Sequence, residues 1–167
     1  PRTPQLFVEF HGAETGVAEA AEAVGTVAQD HNGADFAWAA RQEDRNALWA
    51  ARHTAYYAIL AARPGARAVV TDVCVPISQL AQAMDDTAED IARSGLRGPI
   101  LGHVGDGNYH AILLLDPDAP EEKEAALALQ SRMVARAQEV GGTATGEHGV
   151  GFGKLDYMDA EHGAAWG

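Results

Sequence analysis

Residues 102–110, reading GHVGDGNYH, decide the fold because they predict a β-hairpin with a histidine on each arm. An Asp-Gly pair flanked by strand-like residues is typical of a two-residue hairpin loop, and Asp106-Gly107 is such a pair. This loop pairs His103 with His110. Directly opposed side chains have Cβ atoms roughly 4.5–5.5 Å apart, so both imidazoles could reach one metal ion at about 2.0–2.1 Å per nitrogen. A four-residue loop on the same centre keeps this pairing, whereas a three-residue loop breaks it.

A catalytic metal needs a third protein ligand, and Glu147 in the segment TGEHG is the candidate. Gly146 and Gly149 flank Glu147 and His148, so the backbone can approach another element and both side chains can project. Glu147 as metal ligand and His148 as proton acceptor is a workable division of roles. The alternative is a glycine loop that caps a sheet edge with two solvated polar residues. A phosphate-binding loop is disfavoured, because no Lys-Ser or Lys-Thr follows the glycines and no GxGxxG opens a helix.

The remaining histidines are interpreted as hydrogen-bonding surface or core residues; they are His11, His31, His53 and His162. Arg52 lies in the apolar pattern LWAARHTAYYAIL, so its guanidinium needs an anion on a partly buried face. That anion could be an internal carboxylate or a substrate carboxylate, and the sequence leaves both open. We interpret Asp106 and Asn108 as turn formers, and Asp72 in TDVCVP has no assigned role.

The composition fits one acidic domain, which we expect to span residues 1–167. Twelve basic and 24 acidic residues give a net charge of −12, which disfavours nucleic acid and anionic membrane surfaces as partners. No stretch approaches the ~20 apolar residues of a membrane-spanning helix. The single cysteine, Cys74, excludes an internal disulfide and is interpreted as a buried small hydrophobe. We therefore expect a cytoplasmic protein, or one attached peripherally to the inner face of the membrane through the full-length protein.

Hydrophobic periodicity and turn residues predict alternating strands and helices. The predicted strands are 5–10, 34–40, 68–75, 99–104 and 109–115, and the predicted helices are 14–30, 42–62, 78–93 and 121–140, with a short helix from Tyr157. Because two strands form a hairpin, this order predicts the α+β class, with an antiparallel sheet and helices packed on one face.

Four segments in this order, LWAARH, TDVCVPISQL, GHVGDGNYH and GGTATGEHGVGFGK, resemble the C-terminal substrate domain of FAD-linked oxidases of the vanillyl-alcohol oxidase type. The resemblance covers nearly the whole chain. The forms TDVCVP and GDGNYH are most similar to the D-lactate dehydrogenases, a group related to the glycolate oxidase FAD subunit. The resemblance implies a ferredoxin-like α+β cap domain set against an N-terminal FAD-binding domain.

The resemblance also implies roles for five residues. His103 and His110 match the family's metal-binding histidines, and Glu147 matches its metal-binding glutamate. His148 matches the histidine proposed to take the hydroxyl proton, and Arg52 matches a carboxylate-binding arginine. The implied cofactors are FAD, held mainly by the N-terminal domain, and a divalent metal, zinc or manganese, which polarises the substrate hydroxyl while hydride leaves for the flavin.

The implied substrate is a small 2-hydroxyacid. Relatives that act on dicarboxylates carry a lysine in the strand before the Asp72 position, where this chain has Val70, which favours a short monocarboxylate such as D-lactate, oxidised to pyruvate. The other implied partners are the FAD-binding domain of the same protein and an electron acceptor, which would be a cytochrome, a quinone or an electron-transfer flavoprotein.

Nothing in these residues resembles a flavin domain, and the family's Pro-Gly-Lys-type tail does not follow Trp166-Gly167. We therefore expect a fragment that is inactive when isolated. Two other functions remain open: a noncatalytic metal-binding or interaction module, and a metal-dependent hydrolase that uses His103, His110 and Glu147.

Overall fold

The computed structural model describes residues 3–34, 36–163 and 166, which group into two compact units, Pro1–His53 and Thr54–Gly167. The first unit contains helix α1 (Glu14–Asp30) and helix α2 (Gln42–His53). The bounds of α1 are those predicted. Its end is fixed by Asn32, which takes a left-handed φ of 60°, and by the N–H of Gly33, which donates to Ala28 O at 2.6 Å.

Both strands predicted in the first unit are wrong over the residues that the structure describes. Residues 5–10 join no sheet, and neither do Ala34 and residues 36–40; Asp35, within the second predicted strand, lies outside the described residues. Phe7, which suggested the first of these strands, packs on a ring instead, since its ring centroid lies 6.1 Å from that of Trp49. Strand propensity reflects the packing of a half-buried surface, which other structures can also supply.

The single helix predicted over residues 42–62 is also wrong, because it divides. α2 ends at His53, and helix α3 (Ala55–Ala61) begins after Thr54 in the second unit. Thr54 is β-branched and has φ −89° and ψ −2°, away from regular helical values. The hydrophobic period continues through Thr54, so the pattern alone did not reveal the interruption.

The second unit is built around one long strand. Strands β1 (Arg67–Val70), β2 (Val73–Cys74) and β3 (Ile100–His103) all pair antiparallel with strand β4 (Asn108–Leu115). β1 and β2 follow one register along one edge of β4, and β3 runs along the other edge. The predicted strand 68–75 is therefore present but interrupted at Thr71 and Asp72.

Helices α4 (Ile77–Ser94) and α5 (Pro120–Glu139) pack against each other, and all eight residues of β4 are buried. The core includes alternate residues of β4 with residues of both helices: Tyr109, Ala111, Leu113, Leu115, Leu80, Ala83, Leu129, Met133 and Val134. The other residues of β4, among them Asn108 and His110, occupy the opposite face. The predicted α+β class, with an antiparallel sheet and helices on one face, is confirmed.

The bounds of α4 and α5 agree with the prediction to within one residue at each end. α4 ends at Ser94 and is capped by Gly95, whose φ of 72° is the left-handed conformation that the end of a helix favours. A 3₁₀ turn (Leu155–Tyr157) and helix α6 (Met158–His162) follow the glycine-rich loop, so the predicted short helix is also present. Across the described residues, no helix combines the length and apolar character needed to cross a membrane. A single domain over residues 1–167 stays a prediction.

Candidate functional site

The hairpin register differs from the prediction by two residues. A 3₁₀ turn (Val104–Asp106) and Gly107 join the strands, and His103 is opposite Asn108, not opposite His110, which pairs with Leu101. A shift of two residues keeps a side chain on the same face. His103 and His110 therefore remain on one face as diagonal neighbours, typically about 7–8 Å apart along the strands.

The ring of His110 is held by the interruption between β1 and β2. Thr71 Oγ1 accepts from Ala111 N at 2.8 Å, and the Thr71 carbonyl lies 3.0 Å from His110 Nδ1. Because a carbonyl only accepts, Nδ1 carries the proton and donates. In the neutral ring, Nε2 then presents a lone pair to whatever lies beyond it.

What lies beyond it is Glu147, in the segment 143–149, here called the site loop. Glu147 Oε1 is 2.8 Å from His110 Nε2, 3.6 Å from His103 Nε2 and 3.9 Å from His148 Nε2. The structure thus brings the three predicted metal ligands and the predicted proton acceptor around one carboxylate oxygen.

His148 is oriented by stacking on His110. Their ring centroids are 4.7 Å apart and the planes differ by 7°. The side chain of His110 is buried, whereas those of His148, His103 and Glu147 are about half exposed. Small molecules can therefore reach the outer part of this cluster, while His110 forms its buried part.

The sequence interpretation missed Asp72, whose carboxylate is 1% exposed and supports the site loop. It accepts hydrogen bonds from Asn108 Nδ2 at 2.8 Å, Thr145 Oγ1 at 2.8 Å, Gly146 N at 2.9 Å, Glu147 N at 3.3 Å, His148 N at 3.1 Å and Lys154 Nζ at 3.0 Å. Burial on its own would raise the pKa of Asp72, but the hydrogen bonds, led by those from Asn108 and Lys154, outweigh burial and hold the pKa well below its usual range.

Asp72, His110 and His148 form a second group that could hold a metal ion, with one ligand atom from each within 4.8 Å of the others. The six donors around Asp72 argue against this set. A carboxylate offers about four lone-pair positions, and those of Asp72 are taken by N–H and O–H groups and by the Lys154 ammonium. Among the described residues, the Glu147 side chain lies near the three imidazoles and has no comparable set of donors, so its carboxylate is the better ligand.

Two signals in the sequence pointed to this support. A charged residue inside the β-branched run TDVCVP requires partners if it is buried, and Lys154 is one of only two lysines in the chain.

The prediction that Asn108 is a turn former is wrong. Asn108 is the buried first residue of β4 and donates a hydrogen bond to Asp72. Asp106 does lie in the turn. Arg52 lies half-buried in the last turn of α2, within the first unit.

The family profile described as "FAD linked oxidases, C-terminal domain" matches residues 1–166. The chain belongs to this family. The family uses FAD, as its description states.

Curated relatives agree with this membership. A probable mitochondrial D-lactate dehydrogenase of Danio rerio is 45% identical over 161 residues, which is 96% of this chain and 32% of the relative. The mitochondrial D-lactate dehydrogenase [cytochrome] of Arabidopsis thaliana is 40% identical over 160 residues, 96% of this chain and 28% of the relative. The Escherichia coli K12 glycolate oxidase subunit GlcD is 30% identical over 156 residues, 93% of this chain and 31% of the relative.

The chain thus spans about a third of the length of the curated relatives it matches. The names of the first two relatives assign those proteins to mitochondria. For this chain, a cytoplasmic location stays a prediction.

Proposed function

We propose that this chain is the substrate- and metal-binding part of an FAD-dependent D-2-hydroxyacid dehydrogenase that oxidises D-lactate to pyruvate. The observation that carries the proposal is the convergence of His103, His110 and His148 on Glu147 Oε1, at 3.6, 2.8 and 3.9 Å. The names of the D-lactate dehydrogenase relatives support the choice of substrate.

The donor set fits a divalent metal ion. With Nδ1 of His110 donating to Thr71, its neutral Nε2 and the Glu147 oxygen are two lone-pair atoms 2.8 Å apart. Such a pair is stable only if a positive charge, a proton or a metal ion, is shared between them. His103, His110 and Glu147 would hold zinc or manganese with a position left for substrate, as two histidines and a glutamate do in other catalytic sites. The chemistry supplied when the cofactors are bound is polarisation of the 2-hydroxyl by the metal and hydride acceptance by FAD.

His148 takes the proton of the 2-hydroxyl at its ring nitrogen. Its ring is half exposed and stacked on His110, so it can meet a substrate while its orientation stays fixed. Proton transfer needs this combination, because a general base must lie within hydrogen-bond reach of the proton that it removes. Arg52, which matches the family's carboxylate-binding arginine, is proposed to pair with the substrate carboxylate through its planar guanidinium in the full-length protein.

The substrate is a short monocarboxylate. Val70 is the last residue of β1 and supplies no charge for a second carboxylate. FAD would be held by a separate domain of the full-length protein, with a cytochrome, a quinone or an electron-transfer flavoprotein as the electron acceptor. The names of relatives containing "[cytochrome]" favour the first of these.

The proposal is tested with the full-length protein that carries this chain, loaded with FAD and zinc or manganese. D-lactate should bleach the flavin absorbance and L-lactate should not. His110→Ala should lose both the metal, measured by elemental analysis, and the bleaching. His148→Ala should keep the metal but bleach about 10²–10⁴-fold more slowly, the usual contribution of a general base.

The matched control is His31→Ala, because His31 is an exposed histidine after α1 and should affect neither readout. Equal metal content in the wild type and the His110→Ala variant would contradict the metal site. Metal retention without bleaching by any D- or L-2-hydroxyacid would instead indicate a noncatalytic metal-binding module.

A further inference from the structure

The carboxylate of Asp72 binds the backbone of both functional residues of the site loop. The N–H groups of Gly146, Glu147 and His148 donate to it at 2.9, 3.3 and 3.1 Å. Successive N–H groups that converge on one anion form a backbone nest, in which the orientation of each peptide is set by the anion. The directions in which Glu147 and His148 leave the backbone therefore depend on Asp72.

The same carboxylate links the site loop to the hairpin. Asn108, which lies opposite His103, donates from Nδ2 to Asp72 Oδ1 at 2.8 Å and to Val73 O at 3.0 Å. Lys154, beyond the site loop, donates from Nζ to Asp72 Oδ2 at 3.0 Å and to the Asp72 carbonyl at 2.9 Å. The buried charge is thus neutralised by a group that also fixes the far end of the glycine-rich segment.

The approach of the loop to Asp72 is close enough to require glycine. A Cβ on Gly146 would overlap Asn108 Nδ2 and would lie 2.9 Å from Asp72 Oδ1. Any larger residue at position 146 would push the loop away from its anchor. The placement of Gly146 is therefore an independent sign that the loop is docked on Asp72.

We propose that Asp72 is the positioning residue of the site: it fixes the backbone of residues 146–148 so that Glu147 faces His110 and His148 stacks on it. Asp72 does not itself bind the metal. The inference rests on the proposed function only in that the residues it positions are taken as a metal ligand and a proton acceptor.

The test uses cobalt(II) as the probe, added to the full chain, with two readouts. The first is the cobalt dissociation constant together with the visible cobalt spectrum, which reports the number and type of ligands. The second, which needs no metal, is hydrogen exchange at the amides of residues 146–148. Asp72→Asn keeps the size of the side chain but places N–H donors opposite the donors of the nest.

We expect Asp72→Asn to weaken cobalt binding about 10–100-fold, the usual effect of losing a residue that orients a metal ligand. At saturating cobalt its spectrum should match that of the wild type, and the three amides should exchange faster. The matched control is Asp90→Asn, which removes another buried carboxylate that accepts from Arg132 at 3.0 Å and Arg136 at 2.6 Å, away from the site loop. Asp90→Asn should lower stability and leave both readouts unchanged.

If Asp72→Asn does not fold, Thr145→Val gives a milder test, because it removes one hydrogen bond of 2.8 Å to Asp72 while keeping the shape of the side chain. It should weaken cobalt binding by less than about 10-fold. A changed cobalt spectrum for Asp72→Asn would make Asp72 a ligand and overturn the proposal. Equal losses in Asp72→Asn and Asp90→Asn, or unchanged exchange of the three amides, would overturn it as well. If the wild type binds no cobalt but its amides depend on Asp72, the proposed metal site fails while the positioning role stands.

Discussion

The hairpin and the site loop each contribute two residues to the candidate site, but different interactions hold them. His103 and His110 are fixed by the ladder of backbone hydrogen bonds between β3 and β4. Glu147 and His148 lie outside any strand, and the buried carboxylate of Asp72 fixes their backbone. One half of the site is thus held by many neutral bonds and the other by one charged group.

This difference indicates which half of the site a single substitution should disturb more. A ladder shares its stability among bonds that each contribute about 0.5–1.5 kcal/mol net, so no single side chain controls the positions of the two hairpin histidines. A buried charge depends on its partners, because losing one leaves the charge uncompensated. Substitutions around Asp72 should therefore affect the site loop far more than the hairpin.

The largest effect is expected for Lys154→Met, which keeps most of the side-chain volume and removes the positive charge paired with Asp72 at 3.0 Å. Both side chains are buried, so the unfolding free energy should fall by about 3–5 kcal/mol. Urea unfolding at pH 7 measures this loss. Lys123→Met is the control, because Lys123 is the only other lysine and is exposed on α5, and it should change the free energy by less than about 0.5 kcal/mol. Equal stability of the two variants would show that the charge does not hold the loop.

Much of the hairpin half could be predicted from the sequence, because its signals are local. The apolar run of β4, the Asp106-Gly107 turn and the residues that end α4 and α5 are each signals from neighbouring residues. The register could not be predicted, because the turn became a 3₁₀ turn followed by Gly107 at φ 78° instead of a two-residue loop. Side chains of a strand point to alternate faces, so two registers that differ by two residues place every side chain on the same face and cannot be told apart from the sequence.

For the site loop, the sequence predicted the functional residues Glu147 and His148 but not the hydrogen bonds to Asp72 that hold them. Glu147 and His148 stand out between glycines, but the bonds that hold them join positions far apart in the chain, such as Asp72 and Lys154. No period or local propensity encodes such a contact. The strand prediction around Phe7 in the first unit was wrong for a related reason. An aromatic residue there indicates burial, but the sequence does not indicate that the ring of Trp49 covers it.

The second-largest loss of stability is expected for Gly146→Ala. This substitution should push the site loop away from Asp72 without changing a charge, so it separates close packing from charge in the comparison. The added Cβ would overlap Asn108 Nδ2, and overpacking of this kind costs about 1–3 kcal/mol. Differential scanning calorimetry measures the loss. Gly153→Ala, later in the same glycine-rich segment, is the control, since its Cβ would meet nothing within 4 Å. If Gly146→Ala is as stable as Gly153→Ala, the loop is not docked as closely as the structure indicates.

The smallest effect is expected at the base of the site loop, where Glu161 Oε2 accepts from Ala144 N at 2.8 Å and from Gln138 Nε2 at 3.2 Å. Burial opposes ionisation of Glu161, but these bonds and one from Thr143 outweigh burial, so the pKa of Glu161 lies below its ordinary value of 4.5. The unfolded state therefore binds a proton first as pH falls. The stabilisation by ionised Glu161 is present above pH 4.5 and is lost as pH falls from 4.5 through the lower folded pKa.

Glu161→Gln keeps an acceptor oxygen and removes the charge, so it should cost about 0.5–1.5 kcal/mol at pH 7, as for one buried hydrogen bond. The difference from the wild type should shrink between pH 5 and pH 3, which urea midpoints across that range would measure. A constant difference over the range would mean that the charge of Glu161 adds nothing to its neutral hydrogen bonds. In that case Asp72 alone would distinguish the charged anchoring of the site loop from the neutral ladder of the hairpin.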